Sequence, residues 1–166
     1  MLVEDALRGI DVVRSVEGPI VDVGSGGGSP GIPLAAALPD RQVTLLEANA
    51  RKAHFLERAA ADFPNVRVVR GRAEEQPADE YGVAMAKALA APPVALEWAL
   101  PLVRSGGAAV LWLAPSADLE PLRRVAEQLA GGPPENRDGL VVVPKLGPTP
   151  PGFPRRPGVA RKRPLA

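Results

Sequence analysis

The amino-acid sequence predicts an α/β domain with a doubly wound, mostly parallel β-sheet of the Rossmann-like type. Apolar runs of strand length alternate along the chain with segments whose apolar residues recur at helical spacing. A glycine cluster at 24–28 directly follows the first strand run, and prolines at 30 and 33 open the next helix. The chain of 166 residues has the length of one domain with a single core.

The elements of this domain fall into three segments. Residues 1–16 predict an amphipathic helix that stops before Gly18-Pro19, because apolar residues recur there every three or four positions. Residues 17–146 are predicted to form the Rossmann-like core. Its predicted strands are 20–23, 43–47, 66–69, 81–86, 108–113 and 140–143, and its predicted helices are 32–38, 49–63, 94–103 and 119–129. Residues 147–166 predict a proline-rich connector and an extended basic segment.

Composition restricts the kinds of site and the cellular setting. The lack of cysteine excludes disulfides and thiolate metal sites, and a single histidine argues against a zinc or haem centre. No apolar run reaches the length that crosses a membrane, and the acids within residues 1–11 argue against a signal peptide. We therefore expect a cytoplasmic protein with neither a membrane nor a metal partner. We also expect a monomer, although no sequence feature sets the oligomeric state.

Two carboxylates are predicted to lie beside the glycine cluster. Asp22 precedes the first glycine by two residues, and Glu47 ends the next apolar run. The carboxyl ends of parallel strands meet at one edge of the sheet, so both are expected to reach one ligand. Residues 26–31 fit the G-x-G-x-x-G pattern of a dinucleotide-binding oxidoreductase. Against that interpretation, Asp22 would repel a pyrophosphate, whereas S-adenosylmethionine offers an ammonium group to Asp22 and a ribose diol to Glu47.

Residues 27–31 also match the G-x-S-x-G motif of serine hydrolases. The oxyanion hole of that motif uses the N–H of the residue after the serine, which here is Pro30 and has none. The single histidine, His54, is predicted on the polar face of the helix 49–63. The opposite, apolar face of that helix carries Ala48, Phe55, Leu56, Ala59 and Phe63. We therefore interpret the hydrolase match as accidental.

The segment DVGSGGGSPGIPL at 22–34 resembles the signature of the RsmG (GidB) family, bacterial methyltransferases of guanine N7 in 16S ribosomal RNA. Further similar segments are Leu45-Leu46-Glu47, Arg51-Lys52, Phe55-Leu56, Asn65-Val66, Arg72-Ala73-Glu74, Pro101-Leu102, Gly106-Gly107 and the ending from Phe153. The resemblance implies the class I S-adenosylmethionine-dependent methyltransferase fold, with S-adenosylmethionine as cofactor. It also implies 16S ribosomal RNA, or the assembling small subunit, as the partner.

The resemblance implies roles for individual residues. With Asp22, the implied cofactor-binding residues are Gly24, Gly26, Gly28, Ser29, Glu47, Ala73, Glu74 and Lys87. Glu47 would bind the ribose hydroxyls of the cofactor, and Ala73 and Glu74 would contact its adenine. Lys87 stands where the family carries an arginine, and we expect it to contact an RNA phosphate or the cofactor carboxylate. No certain catalytic group is assigned, because guanine N7 offers a lone pair and no proton has to be removed.

The basic ending of the chain is predicted to contact the RNA backbone. The residues assigned to these contacts are Arg155, Arg156, Arg161, Lys162 and Arg163. The alternative is a solvated tail that improves solubility. Because N7 lies in the deep, narrow major groove of an RNA helix, the target guanine is expected to be looped, distorted or flipped out.

Departures from the family pattern leave other functions open. The region before the glycine strand is shorter than is usual in the family, and Ser29 replaces a bulky residue. Lys87 replaces arginine, and Ala114-Pro115 stands where a lysine-glycine pair is common. One alternative is therefore a degenerate member that binds RNA or cofactor with little turnover. A dinucleotide-binding oxidoreductase is a second alternative, which the residues favour less.

Overall fold

A computed structural model describes residues 2–166, except for the side chain of Leu2. Its strands are β1 (Ile20–Val23), β2 (Val43–Glu47), β3 (Val66–Arg70), β4 (Tyr81–Lys87), β5 (Val103–Trp112), β6 (Glu135–Arg137) and β7 (Leu140–Pro144). Its helices are α1 (Leu2–Leu7), α2 (Ile10–Ser15), α3 (Gly31–Ala37), α4 (Ala50–Ala59), α5 (Pro92–Ala99), α6 (Glu120–Gln128) and α7 (Val159–Lys162), with 3-10 turns at Ala73–Glu75 and Leu100–Leu102.

The strands form one sheet in the order β3-β2-β1-β4-β5-β7-β6. The five strands from β3 to β5 are parallel, while β7 and β6 are antiparallel to their neighbours. The order reverses direction next to β1, where the chain crosses from β3 to β4. This is the switch point of a doubly wound sheet, at which ligands bind beyond the carboxyl ends of the strands. The predicted fold class is confirmed.

Two apolar layers cover the sheet, one on each face. On one face, residues such as Leu34, Leu56 and Met85 join the sheet to α2, α3 and α4. On the other face, Leu96, Leu122 and their neighbours join it to α5 and α6. Burial on both faces explains why most residues of β1, β2 and β4 are apolar.

The N-terminal segment is two short helices and not the single predicted helix. The chain bends between α1 and α2 at Gly9, where a side-chain carbon would lie 2.5 Å from the Trp112 ring. The indole N–H of Trp112 donates to the backbone oxygen of Asp5 at 2.9 Å. The close approach of Gly9 to the indole therefore anchors α1 beside the carboxyl end of β5.

Other elements also differ from the prediction, and the predicted helix 49–63 ends at Ala59. The predicted helix 94–103 ends at Ala99, and its last residues form a 3-10 turn and the start of β5. The strand β6 was not predicted, because its sequence Glu135-Asn136-Arg137 is polar and gives no apolar signal. It lies at the edge of the sheet, where one side of a strand is left open to water.

The C-terminal segment is folded onto the domain, so the prediction of an extended tail is wrong. Phe153 and Leu165 pack against the α5 side of the core, and Ala160 is buried in it. The guanidinium of Arg155 donates to both carboxylate oxygens of Glu97 on α5, at 2.5 and 2.6 Å. Apolar burial and this ion pair outweigh the extended preference of the prolines.

No helix within residues 2–166 has both the length and the apolar character needed to cross a membrane. The same residues contain no group of His, Cys, Asp and Glu side chains that could hold a metal ion.

Candidate functional site

A cavity of about 790 Å³ opens at the carboxyl ends of β1, β2 and β4. Its volume falls within the range of small-ligand sites, about 300–1,000 Å³. The lining residues come from the glycine loop, the end of β2, the turn after β3, the end of β4, α5 and the C-terminal segment. Of the predicted cofactor-binding residues, the cavity is lined by Gly24, Gly26, Ser29, Glu47, Ala73, Glu74 and Lys87.

Backbone hydrogen bonds hold the glycine loop, one of them to β2 and one within the loop. The N–H of Gly24 donates to Leu46 O at 2.8 Å, and the N–H of Gly28 donates to Ser25 O at 2.7 Å. Gly26 adopts a φ of +52°, and a side-chain carbon there would meet no protein atom closer than 3.9 Å. The space beside Gly26 is therefore left for a ligand and is not filled by packing.

Gly28, also predicted to line the cofactor site, is not among the residues that line the cavity. A side-chain carbon at Gly28 would lie 2.6 Å from Cδ1 of Ile32, and its φ is +98°. The need for glycine at this position therefore comes from helix packing and backbone conformation, not from ligand contact.

The Glu47 carboxylate lies at the cavity wall and is oriented by two backbone N–H groups. Oε2 accepts from Gly26 N at 3.0 Å, and Oε1 accepts from Asn49 N at 3.2 Å. Asn49 in turn caps α4 by accepting from Lys52 N at 3.1 Å. Each carboxylate oxygen keeps a second acceptor site. Glu47 can therefore accept hydrogen bonds from a ligand diol while it fixes the glycine loop.

Asp22 does not line the cavity, which corrects the expectation that it meets the ammonium group of a ligand. Its side chain lies behind the loop, only 1% exposed, and accepts from Gly31 N at 3.0 Å. Burial raises the pKa of Asp22 from 3.8 to about 7, against the opposing effect of the Gly31 hydrogen bond. Asp22 therefore positions the start of α3 relative to β1.

The N-terminus of α3 has no free donor for a phosphate. Pro30 and Pro33 lack an N–H, Gly31 N–H donates to Asp22, and Ile32 N–H donates to Gly28 O at 2.7 Å. Dinucleotide sites place the pyrophosphate on free N–H groups at this position. The dinucleotide-binding interpretation of residues 26–31 therefore lacks its physical basis in this structure.

The far wall of the cavity combines the turn after β3 with the C-terminal segment. Ala73 and Glu74 lie in the 3-10 turn, and Glu74 Oε2 accepts from Gly158 N at 2.9 Å. Arg161 on α7 lies over the Trp98 ring, 5.1 Å from its centroid, and both residues line the cavity. The C-terminal segment is thus part of the cavity wall, a role that its sequence did not indicate.

Lys87 ends β4 and lines the cavity, but its ammonium group is already paired. Nζ lies 2.5 Å from Asp5 Oδ2 on α1. The hydrogen bond from Lys87 is the main reason why the pKa of Asp5 lies below its ordinary value. The pair therefore joins α1 to the edge of the cavity and partly neutralises the lysine there.

The basic C-terminal residues divide into two groups. Arg155 faces inward to Glu97, whose side chain is 3% exposed, so its assignment to RNA contact is corrected to a structural role. The exposed residues are Arg156, Arg161, Lys162 and Arg163.

Sequence reasoning missed several cavity residues. These are Lys52, Arg72, Leu89 and Trp98. Two of them, Lys52 and Arg72, carried a local signal, because they belong to the segments Arg51-Lys52 and Arg72-Ala73-Glu74 that resemble the family. His54 lies on the exposed side of α4, as predicted, with its Nδ1 3.5 Å from Glu57 Oε2, and it does not line the cavity.

Comparisons with known proteins agree with this geometry. Residues 2–127 match the family model of the rRNA small subunit methyltransferase G. The ribosomal RNA small subunit methyltransferase G of Roseiflexus castenholzii is 37% identical over 164 residues, which cover 88% of this chain and 70% of that protein. The protein of the same name from Synechococcus sp. (strain JA-2-3B'a(2-13)) is 33% identical over 186 residues, which cover 97% of this chain and 72% of that protein.

Solved structures share the fold at low sequence identity. A predicted O-methyltransferase from Agrobacterium tumefaciens aligns with a TM-score of 0.62 and 19% identity, over 76% of this chain and 72% of that chain. M. jannaschii TYW2 in complex with AdoMet aligns with a TM-score of 0.62 and 18% identity, over 76% of this chain and 66% of that chain. These likenesses support the class I methyltransferase fold. The match of residues 2–127 to the family model and the two relatives of 37% and 33% identity show that this chain belongs to the rRNA small subunit methyltransferase G family.

Proposed function

We propose that this chain transfers the methyl group of S-adenosylmethionine to guanine N7 in 16S ribosomal RNA. The observation that carries the proposal is the cavity in which Glu47 lies beside an open glycine loop while α3 offers no donor to a phosphate. S-adenosylmethionine has a ribose diol and no phosphate.

The residues present fit that cofactor. The space beside Gly26 admits the methionine and ribose portion, and the free acceptor sites of Glu47 suit ribose hydroxyls. Ala73 and Glu74 border the region assigned to adenine. Two polar atoms of lining residues, Ser29 Oγ and Trp98 Nε1, are buried with no hydrogen-bond partner among residues 2–166. Buried polar atoms without a partner are rare, which supports a ligand in this cavity.

The reaction requires no general base from the protein. When bound, S-adenosylmethionine supplies a methyl group to which the N7 lone pair bonds as the carbon–sulfur bond breaks, with its electron pair staying on sulfur. The protein contributes alignment of the two reactants, at about 3–3.5 Å, and suitable placement of charge. The exposed His54 is therefore not needed.

Guanine becomes cationic as the N7 bond forms, so an unpaired cation beside the base would oppose the reaction. The Asp5 carboxylate reduces this opposition from Lys87, since the two charges lie 2.5 Å apart. We assign the Lys87 ammonium group to a contact with the cofactor carboxylate or an RNA phosphate. This contact either replaces the ion pair with Asp5 or forms beside it. A Lys87→Ala variant that keeps both the RNA affinity and the cofactor affinity of the wild type would remove this assignment.

The exposed basic residues of the C-terminal segment are proposed to contact RNA phosphates. These residues are Arg156, Arg161, Lys162 and Arg163. Each phosphate contact makes RNA affinity more sensitive to salt, because counterions are released on binding. We further propose that the protein acts as a monomer in the cytoplasm, where small subunits assemble.

The test is a methyl-transfer assay with labelled S-adenosylmethionine and unmethylated, transcribed bacterial 16S ribosomal RNA, both naked and assembled into small subunits. Chain cleavage specific for N7-methylguanosine then locates the product. We expect label at one guanine in at least one of the two substrates. Tight S-adenosylhomocysteine binding without transfer to either substrate would instead identify the degenerate member.

A further inference from the structure

A second depression lies on the outer side of the glycine loop, against α4. Its volume is about 390 Å³, and it is lined by Gly26, Gly27, Arg51, Lys52, Phe55 and Arg58. We call it the Phe55 groove. Gly26, Gly27 and Lys52 also line the cofactor cavity, so the two depressions share a wall. Whatever occupies the Phe55 groove therefore lies next to the reaction site.

The exposure of Phe55 is unusual for its position. The sequence predicts it in the apolar stripe of the helix, yet its neighbour Leu56 is fully buried while Phe55 is 45% exposed. Within residues 3–166, the large hydrophobic side chains exposed to water are Val3, Phe55 and Leu146, and Phe55 is the aromatic one among them. Folding therefore does not account for a phenyl ring here.

The cations around the ring are also uncommitted. In the described part of the chain, no hydrogen bond or ion pair engages the side chains of Arg51, Lys52 or Arg58, and no acid lines the groove. Some basic side chains elsewhere are paired internally, as Arg155 is with Glu97 and Arg123 with Glu120. The groove thus presents one aromatic face surrounded by free positive charge.

This combination matches the chemistry of a single-stranded nucleotide. A base stacks on an exposed aromatic ring, and neighbouring guanidinium and ammonium groups hold the phosphates. A protein partner would need roughly 800 Å² of surface on each side, with an apolar centre, which one phenyl ring does not provide.

We propose that the Phe55 groove binds a nucleotide of the RNA substrate that flanks the target guanine. Its base stacks on Phe55, and its phosphates contact Arg51 and Arg58. The inference rests on the proposed function for the identity of the RNA. Holding a flanking base here separates it from its neighbours in the RNA strand, which keeps the target guanine out of a helix and exposes its N7 edge.

The test measures affinity for transcribed 16S ribosomal RNA at fixed salt for Phe55→Ala, Phe55→Leu and Phe55→Trp. Loss of stacking is expected to raise the RNA Kd of the first two by about 5- to 150-fold, since stacking contributes about 1–3 kcal/mol per base. Phe55→Trp keeps the stacking surface and should stay within about threefold of the wild type. Leu146→Ala, at an exposed apolar residue near the opposite edge of the sheet, is the matched control and should bind RNA normally.

The basic residues give an independent measurement. Arg51→Gln and Arg58→Gln should each lower the slope of log Kd against log salt by about 0.7–0.9, which is the loss of one phosphate contact. The Kd for S-adenosylhomocysteine should be unchanged in every variant, and unfolding transitions confirm that each variant is folded.

The outcomes separate the inference from the proposed function. If the wild type methylates 16S ribosomal RNA and Phe55→Leu binds and methylates it normally, the groove proposal is wrong and the function stands. If the wild type binds RNA through Phe55 but transfers no methyl group, the groove stands and the function is wrong. A Phe55→Ala defect seen on assembled subunits but not on naked RNA would assign the groove to a ribosomal protein and overturn the proposal.

Discussion

Replacement of Asp22 by asparagine tests the burial of that side chain, because burial makes protein stability depend on pH. The pKa of Asp22 is raised from 3.8 to about 7 in the folded protein, so the folded state holds its proton more tightly than the unfolded state does. A group of this kind stabilises the fold below its unfolded pKa, and the stabilisation is lost as pH rises through the folded pKa.

The magnitude follows from the raised pKa. A change from 3.8 to about 7 corresponds to a loss on the order of 4 kcal/mol in the free energy of unfolding, of which roughly 3 kcal/mol falls between pH 4.5 and 8. The asparagine side chain of the variant cannot ionise, yet its amide oxygen can still accept from Gly31 N. The stability of Asp22→Asn relative to the wild type should therefore rise by roughly 3 kcal/mol across this interval.

The assay is urea unfolding followed by the fluorescence of Trp98 and Trp112, both buried, at pH 4.5, 6 and 8. Comparing variant with wild type at each pH cancels the titration of all other groups. Asp40→Asn, at an exposed aspartate, is the matched control. A difference between Asp22→Asn and wild type that is the same at all three pH values would mean that burial does not raise the pKa of Asp22.

Three other substitutions probe distinct contacts. Glu47→Gln places an amide N–H against a backbone N–H. The Kd for S-adenosylhomocysteine, measured by calorimetry, should rise by roughly 10- to 150-fold. An unchanged Kd would contradict the proposed role of Glu47 in cofactor binding. Lys145→Met removes the ammonium group that donates to Asp79 and to the backbone oxygens of Leu100 and Val103, while Asp79 keeps its hydrogen bonds from Thr149. The variant should lose about 1.5–3 kcal/mol of stability in urea unfolding, with cofactor affinity unchanged because Lys145 lies at the opposite edge of the sheet. Arg155→Met leaves the Glu97 carboxylate buried without its partner and should lose about 3 kcal/mol in the free energy of unfolding. Part of the cofactor affinity should be lost too, because the C-terminal segment forms part of the cavity wall. Retention of both would show that the C-terminal segment docks without this pair.

Much of the fold could be predicted from sequence because its signals are local. Strand β1 was predicted with its observed bounds, and Glu47 was placed at the end of β2. Each is an apolar run that ends in a turn signal or a charge, and burial on both faces makes the run continuous. The topology follows from the strand–helix alternation, which leaves few arrangements for parallel strands.

The direction of a charged side chain could not be predicted in the same way. Asp22 and Arg155 were expected to face ligands, and both instead hold the protein together. A sequence shows that a charge follows a strand or belongs to a basic run, but its partner depends on distant parts of the chain. Glu97, the partner of Arg155, lies 58 residues earlier in the sequence.

Calorimetric titration of the purified chain with S-adenosylhomocysteine and, in parallel, with NADH decides which cofactor the cavity binds. We expect S-adenosylhomocysteine to bind with micromolar affinity, more weakly to Glu47→Gln, and NADH not to bind, because no N–H at the start of α3 is free for a phosphate. Binding of NADH in place of S-adenosylhomocysteine would show that the cavity is a dinucleotide site and not a methyltransferase site.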